Sequence, residues 1–424
     1  MAIYLLIFSL LIFIAFTFPI AYSMLGASFL ALSIMPQDFL VIAQRYIGSL
    51  HSFPLLAVPF FILAGNLMNH SGAAKRIFDF CLTIFGHIIG GLAYVNVIAS
   101  MIFSGMSGAA TADAAGLGLI EIKAMKEEGY PDAFSAAVTA ASSIIGPIIP
   151  PSVPLIIYGV MAQVSIGVLF IAGIIPGIVT GLFLMVVIFF KSKSYDLPVR
   201  EKSSFKEVYV SFFRAFPSLL APVIILGGIF TGVFTPTEAG IVASVYALIL
   251  GIIYKKLNLK NIIQLTYDAF IFTAQVCFIV AAASVFSWVI SRLAIPSMLA
   301  SILVGFTENP IIALLLINLS LLIMGLFIDA LAIVIMATPV LLPIASVYGI
   351  DPIHLGLMLV LNTMIALNTP PVGLCLYIVS DIAKVPISKL SKELIPFYIG
   401  LVITLIVIII FPSLVLYLPT FFGY

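Results

Sequence analysis

Charged residues are scarce in this sequence. Asp, Glu, Lys and Arg make up 8% of the 424 residues, whereas 63% are hydrophobic and the mean hydropathy is +1.30. A soluble domain carries about 25% charged residues, so a soluble protein is excluded. The apolar runs have the length of helices rather than the roughly 10-residue alternation of membrane strands. The composition therefore predicts an all-α polytopic membrane protein.

The residues that build most enzymatic and metal centres are also few. Three cysteines and four histidines are scattered singly, and the sequence contains no serine–histidine–aspartate, HExxH or Walker A pattern. The net charge of +1 offers no basic surface for nucleic acid. The N-terminal apolar run lacks the basic residues of a cleavable signal peptide, so it is expected to remain as membrane spans. We predict no catalytic residue, no cofactor and no nucleic-acid partner, and therefore not an enzyme.

The apolar stretches form two sets of seven, separated by a polar and basic segment at 191–214. When the halves are compared at a shift of 220 residues, the double proline at 150–151 coincides with that at 370–371, and Gly105 coincides with Gly325. Short matches between apolar sequences arise by chance, but glycines and double prolines in one register do not arise easily. The chain is therefore predicted to be a duplication.

The distribution of positive charge predicts how the halves lie in the membrane, because cytoplasmic loops are enriched in Lys and Arg. All the basic clusters can lie in the cytoplasm if one apolar hairpin in each half enters and leaves from the same side. Each half then has about five transmembrane helices and one re-entrant hairpin, an odd number of crossings that makes the repeats inverted. Ordinary transmembrane hairpins are the alternative. The first repeat is predicted at 1–190, with its hairpin at about 84–124 and a broken helix at about 131–160. A basic cytoplasmic linker follows at 191–214. The second repeat is predicted at 215–424, with its hairpin at about 309–347 and a broken helix at about 352–380.

Small residues and single carboxylates mark the hairpin tips. The first tip, FSGMSGAATADAAGLG at 103–118, is typical either of a helix-packing face or of a turn whose carbonyls and hydroxyls face a polar cavity. It contains Asp113, and Asp329 is the only charged residue of the second tip at 321–339. A carboxylate at the centre of a membrane helix costs about 2.5–3.5 kcal/mol on insertion scales, so neither is expected to face lipid. Asp329 either makes a helix-capping or interhelical hydrogen bond or belongs to a functional site.

Each double proline lies within an apolar stretch, among small and hydroxyl residues. The sequences are SSIIGPIIPPS at 142–152 and NTMIALNTPPVG at 362–373. Proline removes a backbone donor and kinks a helix, and in hydrocarbon the freed carbonyls must find a partner. An unwound helix exposes carbonyl oxygens to a cation and presents a half-helix N-terminus to an anion. A single break is typical of a kinked helix without a ligand, but two in one register favour a site for Na⁺ and an anion.

Five motifs follow one another along the chain: FSGMSGAATADAAGLG, GPIIPPSVPLIIYG, GVFTPTEAGIVASVYAL, GLFIDALAIVIMATPVLLP and NTPPVGLCLY. Together they resemble the large membrane (permease) subunit of tripartite ATP-independent periplasmic (TRAP) transporters, over essentially the whole chain. The resemblance implies the fold of the divalent-anion/sodium symporter superfamily, with inverted repeats, a scaffold, and a mobile transport domain that carries both hairpins and moves as an elevator. It also implies a multi-pass protein of the bacterial inner membrane.

The resemblance further implies where ligands bind. One sodium ion is expected between each hairpin tip and the break of the same repeat, and the substrate between the tips. The implied sodium ligands are Ser104, Gly105, Ser107, Gly146 and Ile149 in the first repeat and Gly325, Asp329, Ala366 and Thr369 in the second. The implied substrate-binding residues are Ser107, Asn362, Thr363 and Asn368.

The resemblance also implies partners and a function. The partners are membrane lipid, a small four-helix membrane subunit and a soluble periplasmic protein that captures the substrate. Because the chain begins directly at its first span, a separate small subunit is implied. The function is import of an organic acid anion, such as a C4-dicarboxylate or a sialic-acid-like carboxylate, with Na⁺ as the coupling ion rather than a cofactor.

Two other functions stay open at this point. A stand-alone divalent-anion/sodium symporter would need neither the binding protein nor the small subunit. A membrane scaffold without transport activity would have continuous helices at 146–151 and 366–371.

Overall fold

The computed structural model describes residues 1–195 and 197–424, which contain helices and no β-strand. Asp196, within the predicted linker, lies outside the described residues. In the described part of the chain seven helices are long and apolar enough to cross a membrane, and eight shorter apolar helices accompany them. The prediction of an all-α polytopic membrane protein is confirmed.

The helices of the first half follow the predicted apolar stretches, with additional short helices between them. Their bounds are α1 Ala2–Ala15, α2 Ile20–Leu32, α3 Leu40–Leu50, a 3₁₀ turn at Phe53–Leu56, α4 Ala57–Ser71, α5 Ala73–Phe85, α6 Gly91–Ser107, α7 Ala110–Ala115, α8 Leu117–Glu127, α9 Asp132–Ser143, α10 Val153–Ala162 and α11 Ile166–Ser192.

The second half repeats this order of elements, with a hairpin, an interrupted helix and a long closing helix. The bounds are α12 Phe205–Phe230, α13 Pro236–Ile253, α14 Leu259–Arg292, α15 Ile295–Phe306, α16 Pro310–Gly325, α17 Ala330–Val347, α18 Pro352–Ala366, α19 Leu374–Ala383, α20 Ile387–Ile410 and α21 Ser413–Phe421. That the hairpins α6–α8 and α16–α17 re-enter the membrane, and that the repeats are inverted, stay predictions.

The helix ends lie where the sequence supplies capping groups. Thr235 and Glu238 form a reciprocal capping box at the start of α13, and Asp351 accepts backbone hydrogen bonds at the start of α18. Gly108 ends α6 in the left-handed conformation, with a φ of 67°, which glycine adopts without steric cost. These local signals fix where the hairpins turn.

The linker at 191–214 is partly helical, because α11 extends to Ser192 and α12 begins at Phe205. Two ion pairs attach this region to the rest of the protein. Lys191 lies 2.6 Å from Glu393 of α20, and Arg200 lies 2.5 Å from Glu128 after α8. The basic segment is therefore held against the ends of the neighbouring helices.

The helices can be divided into two groups, which also pack against each other where α4 and α5 meet α6 and where α14 and α15 meet α17. In the flanking group, α1–α5 and α12–α15, α4 packs against α13 and α14, and α12 packs against α5 and α13. In the hairpin group, α6–α11 and α16–α20, α20 packs against α9 and α11, α17 against α10 and α18, and α19 against α7 and α9. All residues of α9 after its first are buried, as are the residues of α18 from His354 onward. The two interrupted helices therefore form the interior of the hairpin group.

Candidate functional site

The first interruption, residues 144–152, separates α9 from α10. It is buried apart from the half-buried Ile149. The Ser152 hydroxyl donates to the Pro147 carbonyl oxygen at 2.5 Å and accepts from the Leu155 N–H at 3.2 Å, which caps α10. Because residues 144–152 are not helical, their carbonyl oxygens are not all committed to helix hydrogen bonds.

The first hairpin tip lies directly against this interruption. The Val153 N–H donates to the Gly108 carbonyl oxygen at 3.2 Å. A Cβ atom added to Gly108 would collide with the Pro151 carbonyl oxygen, and one added to Gly146 would collide with the Asp113 carboxylate. Glycine at both positions therefore permits the close approach of tip and interruption.

Several polar atoms at this junction lack partners. The Ser107 hydroxyl and both carboxylate oxygens of Asp113 are buried and have no hydrogen-bond partner among the described residues. Ser104 differs, because its hydroxyl donates within α6 to the carbonyl oxygens of Ser100 and Met101, at 2.9 and 2.7 Å. Buried polar groups normally have hydrogen-bond partners. A buried oxygen atom that no donor reaches is costly, and coordination of a cation would offset that cost.

A second polar network lies beside Asp113 and was missed in the sequence. The Asn96 amide donates to Thr139 at 2.7 Å and accepts from the Ser142 hydroxyl at 2.6 Å. Glu121 is only 1% exposed, and its carboxylate accepts from Ser100 at 3.4 Å. In the sequence, Asn96 is a single amide in an apolar run, a signal that could have been used.

The second interruption, residues 367–373, separates α18 from α19. The Asn368 amide donates to the Ala140 carbonyl oxygen of α9 at 2.6 Å, and the Tyr398 hydroxyl of α20 donates to the Asn368 carbonyl oxygen. The Cys375 N–H donates to the Leu367 carbonyl oxygen at 3.1 Å. The Asn368 side chain therefore attaches the second interruption to the interrupted helix of the first half, and Tyr398 attaches it to α20.

The second hairpin tip lies against the second interruption. Asp329 caps α17, where its Oδ1 atom accepts from the N–H groups of Leu331 and Ala332 at 3.0 and 3.4 Å. A Cβ atom on Gly325 would collide with the Ala366 Cβ atom. A cavity of about 10 Å³ between tip and interruption is lined by Gly325, Asp329, Ala366 and Gly373 among others. This volume is about that of one water-sized sphere, and a dehydrated sodium ion is smaller than a water molecule.

The structure brings some of the predicted ligands together and leaves others apart. Gly325, Asp329 and Ala366 line the small cavity, whereas Thr369 does not, and its hydroxyl donates to the Ile365 carbonyl oxygen at 2.9 Å. Ile149 packs its side chain near Gly177 of α11, so only its main-chain carbonyl is available to an ion. Gly105 lies against Pro222 of α12.

The predicted substrate residues Ser107, Asn362, Thr363 and Asn368 are all buried, at 2% exposure or less. The Asn362 amide donates to the carbonyl and side-chain oxygens of Asn318, at 2.9 and 2.8 Å, and Thr363 donates to Val360. The side-chain oxygens of Asn362 and Asn368 have no partner among the described residues. The side-chain nitrogen of each asparagine is therefore held by a hydrogen bond, and the side-chain oxygen remains free to accept one from a ligand.

The described residues contain no group of three or more His, Cys, Asp or Glu side chains arranged to hold a metal ion. A cation at either tip would depend on carbonyl and hydroxyl oxygens with a single carboxylate. Oxygen ligands are those that hard cations prefer. The helices are interrupted at both double prolines, whereas the scaffold alternative predicted continuous helices there.

Comparison with known proteins identifies relatives over nearly the full length. The family model described as the DctM component of the tripartite ATP-independent periplasmic transporter matches residues 7–414. The chain is 46% identical over 416 residues to the sialic acid TRAP transporter large permease protein SiaM of Vibrio cholerae serotype O1, covering 98% of this chain and 95% of that protein. It is 37% identical over 389 residues to the C4-dicarboxylate TRAP transporter large permease protein DctM of Pseudomonas aeruginosa, covering 92% and 91%. The YdaH transporter of Alcanivorax borkumensis has a similar fold, with a TM-score of 0.65 at 14% identity over 88% of each chain.

Proposed function

The chain belongs to the DctM component family of tripartite ATP-independent periplasmic transporters, and on this premise we propose that it imports an organic acid anion by sodium-coupled secondary transport. It is a TRAP large permease, a multi-pass protein of the bacterial inner membrane. In this proposal a periplasmic binding protein delivers the anion, and a small four-helix membrane subunit completes the complex.

One observation carries the proposal: in each half of the chain a hairpin tip lies against an interrupted helix. Val153 bonds to Gly108 in the first half, and Gly325 meets Ala366 in the second. The interruptions expose carbonyl oxygens, and α10 and α19 begin there with the positive ends of their dipoles. The combination supports a pair of cation sites beside a site for an anion.

The two junctions differ in what they offer a sodium ion. At the first, the Ser107 hydroxyl and the Asp113 carboxylate are buried without hydrogen-bond partners, and the carboxylate lies against Gly146, so we add Asp113 to the proposed ligand set. At the second, Asp329 uses Oδ1 to cap α17 and keeps Oδ2 for an ion in the small cavity. Thr369 would become a ligand of this sodium ion only if its hydroxyl broke its hydrogen bond to the Ile365 carbonyl oxygen and turned towards the cavity.

Coupling follows from electrostatics. An unpaired buried carboxylate costs free energy, and a second negative charge on the substrate would add to that cost. Sodium binding offsets both charges, so the anion is expected to bind well only when the ion sites are filled. The hairpin group would then move as an elevator past the flanking group.

The substrate class proposed first is a sialic-acid-like carboxylate. The identity of 46% to a relative named for sialic acid exceeds the 37% to one named for C4-dicarboxylates, which is the second candidate. The proposed substrate residues are neutral hydrogen-bonding side chains, which suit a ligand with several hydroxyl and amide groups. Ligand screening of the cognate binding protein would decide between the two.

The proposal is tested by uptake into proteoliposomes that contain the large and small membrane subunits, with the binding protein outside. Uptake should depend on external Na⁺ and fall to background when K⁺ or choline replaces it. Thr369→Val should raise the Na⁺ concentration for half-maximal uptake. Thr404→Val is the matched control, because Thr404 is also a back-bonded threonine, 2.9 Å from the Gly400 carbonyl oxygen on α20. Uptake of the wild type that ignores Na⁺ contradicts sodium coupling.

The stand-alone symporter remains the alternative, and a simple omission separates the two. The membrane subunit is reconstituted without the binding protein and the small subunit, and uptake of the free anion is measured. Loss of uptake supports the three-component transporter. Uptake at the same rate as the complete system supports the alternative.

A further inference from the structure

A second cavity lies away from the hairpin tips, between α5, the start of α12 and the turn after α13. It has a volume of about 390 Å³, within the range of roughly 300–1,000 Å³ that is typical of small-ligand sites. Four cationic side chains line it: Lys75, Arg76, Arg214 and Lys256. The proposed transport function does not use this cavity.

Three distant segments of the chain meet at this cavity. The Arg76 guanidinium lies 3.7 Å from the centre of the Tyr254 ring, and its Nη1 atom donates to the Arg214 carbonyl oxygen at 3.3 Å. A Cβ atom on Gly72 would lie 3.7 Å from Lys256 Cγ. Packing therefore concentrates cations that are up to 181 residues apart in the sequence, between Lys75 and Lys256.

The positive charge of the cavity is largely unbalanced. Lys75 pairs with Asp79 at 2.9 Å, which leaves a net charge of +3 from four cations and one carboxylate. No carboxylate in the described part of the chain lies within 4.0 Å of the side-chain nitrogens of Arg76, Arg214 or Lys256. The buried Tyr254 hydroxyl also has no hydrogen-bond partner there. Three cations and a free donor suit a ligand with several anionic oxygens, such as a phosphate.

The surroundings indicate that the ligand is amphiphilic. The cations belong to the segments that the positive-inside rule assigns to the cytoplasm, close to the membrane surface. Along α12, Val210 lies one turn before Arg214 on the same helix face and exposes 39% of its surface. A free anion would use the cations only, whereas a phospholipid would also cover the exposed Val210 side chain with its acyl chains. Basic pockets between membrane helices on the cytoplasmic side are known to suit anionic lipid headgroups.

We propose that this cavity binds the headgroup phosphates of an anionic phospholipid, with the acyl chains along α12. A lipid with two phosphates, such as a diphosphatidylglycerol, matches the net charge of +3 better than one with a single phosphate. The bound lipid joins α5, which leads into the first hairpin, to α12 and the end of α13. It would therefore brace the flanking group at the base of the first hairpin.

The test measures lipid bound to the purified complex of the large and small membrane subunits. After exchange into a delipidating detergent, native mass spectrometry counts retained diphosphatidylglycerol and phosphatidylcholine, and a titration with each lipid gives its affinity. Inorganic phosphate is added in a parallel arm to distinguish a lipid from a free anion. The test protein is a double variant that carries both Arg214→Gln and Lys256→Gln. Lys260→Gln is the control, because Lys260 is an exposed cation nearby that does not line the cavity.

The wild type should retain diphosphatidylglycerol in preference to phosphatidylcholine. The double variant should bind it roughly 30-fold more weakly, since each basic residue near a lipid surface contributes about 1 kcal/mol. Lys260→Gln and Arg214→Lys, which keeps the charge and reports on folding, should bind nearly as the wild type does. Equal retention of both lipids, equal loss in Lys260→Gln, or displacement of the lipid by millimolar phosphate would overturn the proposal.

Discussion

The two carboxylates at the hairpin tips satisfy their oxygens in different ways. Asp329 is exposed, lines the small cavity and caps α17 with one oxygen, so the capping alternative is observed and its place in an ion site stays a proposal. Asp113 is 2% exposed and neither of its oxygens is hydrogen-bonded among the described residues. A carboxylate that caps a helix is stable without an ion, whereas Asp113 is expected to depend on a cation.

The negative charge of Asp329 and its role as a helix cap can be tested separately, because asparagine caps helices as well as aspartate does. Asp329→Asn should keep the thermal stability of the complex but raise the Na⁺ concentration for half-maximal uptake by about tenfold, or about 1.4 kcal/mol of ion binding. Asp329→Ala should additionally lose about 0.5–2 kcal/mol of stability with the cap. Asp351→Asn, at the cap of α18, is the matched control, with unchanged Na⁺ dependence. A normal Na⁺ dependence in Asp329→Asn removes Asp329 from the ion site.

Asp113→Asn tests the cation at the first junction. The amide removes the negative charge in nearly the same volume, so the variant should fold, and it should lose Na⁺-driven uptake or need about tenfold more Na⁺. Without Na⁺, the variant should be about as stable as the wild type, because the amide fills the same volume and a buried carboxyl without a cation is neutral as well. Asp381→Asn, at an exposed surface pair with Lys384, is the control. Equal Na⁺ titrations of uptake for Asp113→Asn and the wild type would contradict the assignment.

At the scale of helices, an asparagine of each hairpin bonds to the interrupted helix of the same half. Ser142 of α9 donates to Asn96 of α6 at 2.6 Å, and Asn362 of α18 donates to Asn318 of α16 at 2.8 Å. Ser142 and Asn362 are 220 residues apart, the spacing at which the double prolines coincide, and Asn96 and Asn318 are 222 apart. Asn362 therefore has a structural role, and its unpartnered oxygen is the part left for a substrate.

The close contact of Gly325 with Ala366 predicts that the second tip tolerates no larger residue. Gly325→Ala should push the tip away from the second interruption, enlarge the small cavity and reduce Na⁺ affinity and uptake at least about tenfold, since overpacking of this kind typically costs 1–3 kcal/mol. Gly305→Ala in α15 is the control, because a Cβ atom there meets nothing within 4 Å. Uptake and sodium titrations compare the two. Wild-type behaviour of Gly325→Ala would indicate that the tip does not form the ion site.

At the scale of the whole molecule, the sequence was sufficient to predict those features that a short segment of the chain determines by itself. Two consecutive prolines in the middle of an apolar stretch remove two backbone donors and disfavour a continuous helix, so both interruptions were predictable. The Asn96, Thr139 and Ser142 network and the burial of Glu121 were not, because they depend on how α6, α8 and α9 pack. The basic cavity was also missed, since its cations come together only when α5, α12 and the end of α13 assemble. Pairings across long sequence separations leave no periodic signal in the chain.

The proposed elevator movement predicts that a covalent bond between the two helix groups stops transport. Gly167 of α11 and Ile229 of α12 are a suitable pair, because a Cβ atom on Gly167 would lie 3.5 Å from Ile229 Cγ2. A cysteine sulfur at position 229 would also occupy a γ position, within reach of a cysteine at position 167. The control pair, Gly240 and Phe60, lies within the flanking group, where a Cβ atom on Gly240 would be 3.1 Å from that of Phe60.

Both pairs are replaced by cysteine in a background without the three native cysteines, Cys81, Cys277 and Cys375. Oxidation of the Gly167→Cys/Ile229→Cys variant should abolish uptake, and reduction should restore it, because the bond fixes the hairpin group against its support. Oxidation of the Gly240→Cys/Phe60→Cys variant should leave uptake largely intact, since its two helices move together. Gel mobility of a proteolysed sample measures the fraction crosslinked. Full uptake by the fully crosslinked first pair would mean that α11 and α12 keep their relative position during transport, and that the moving boundary lies elsewhere.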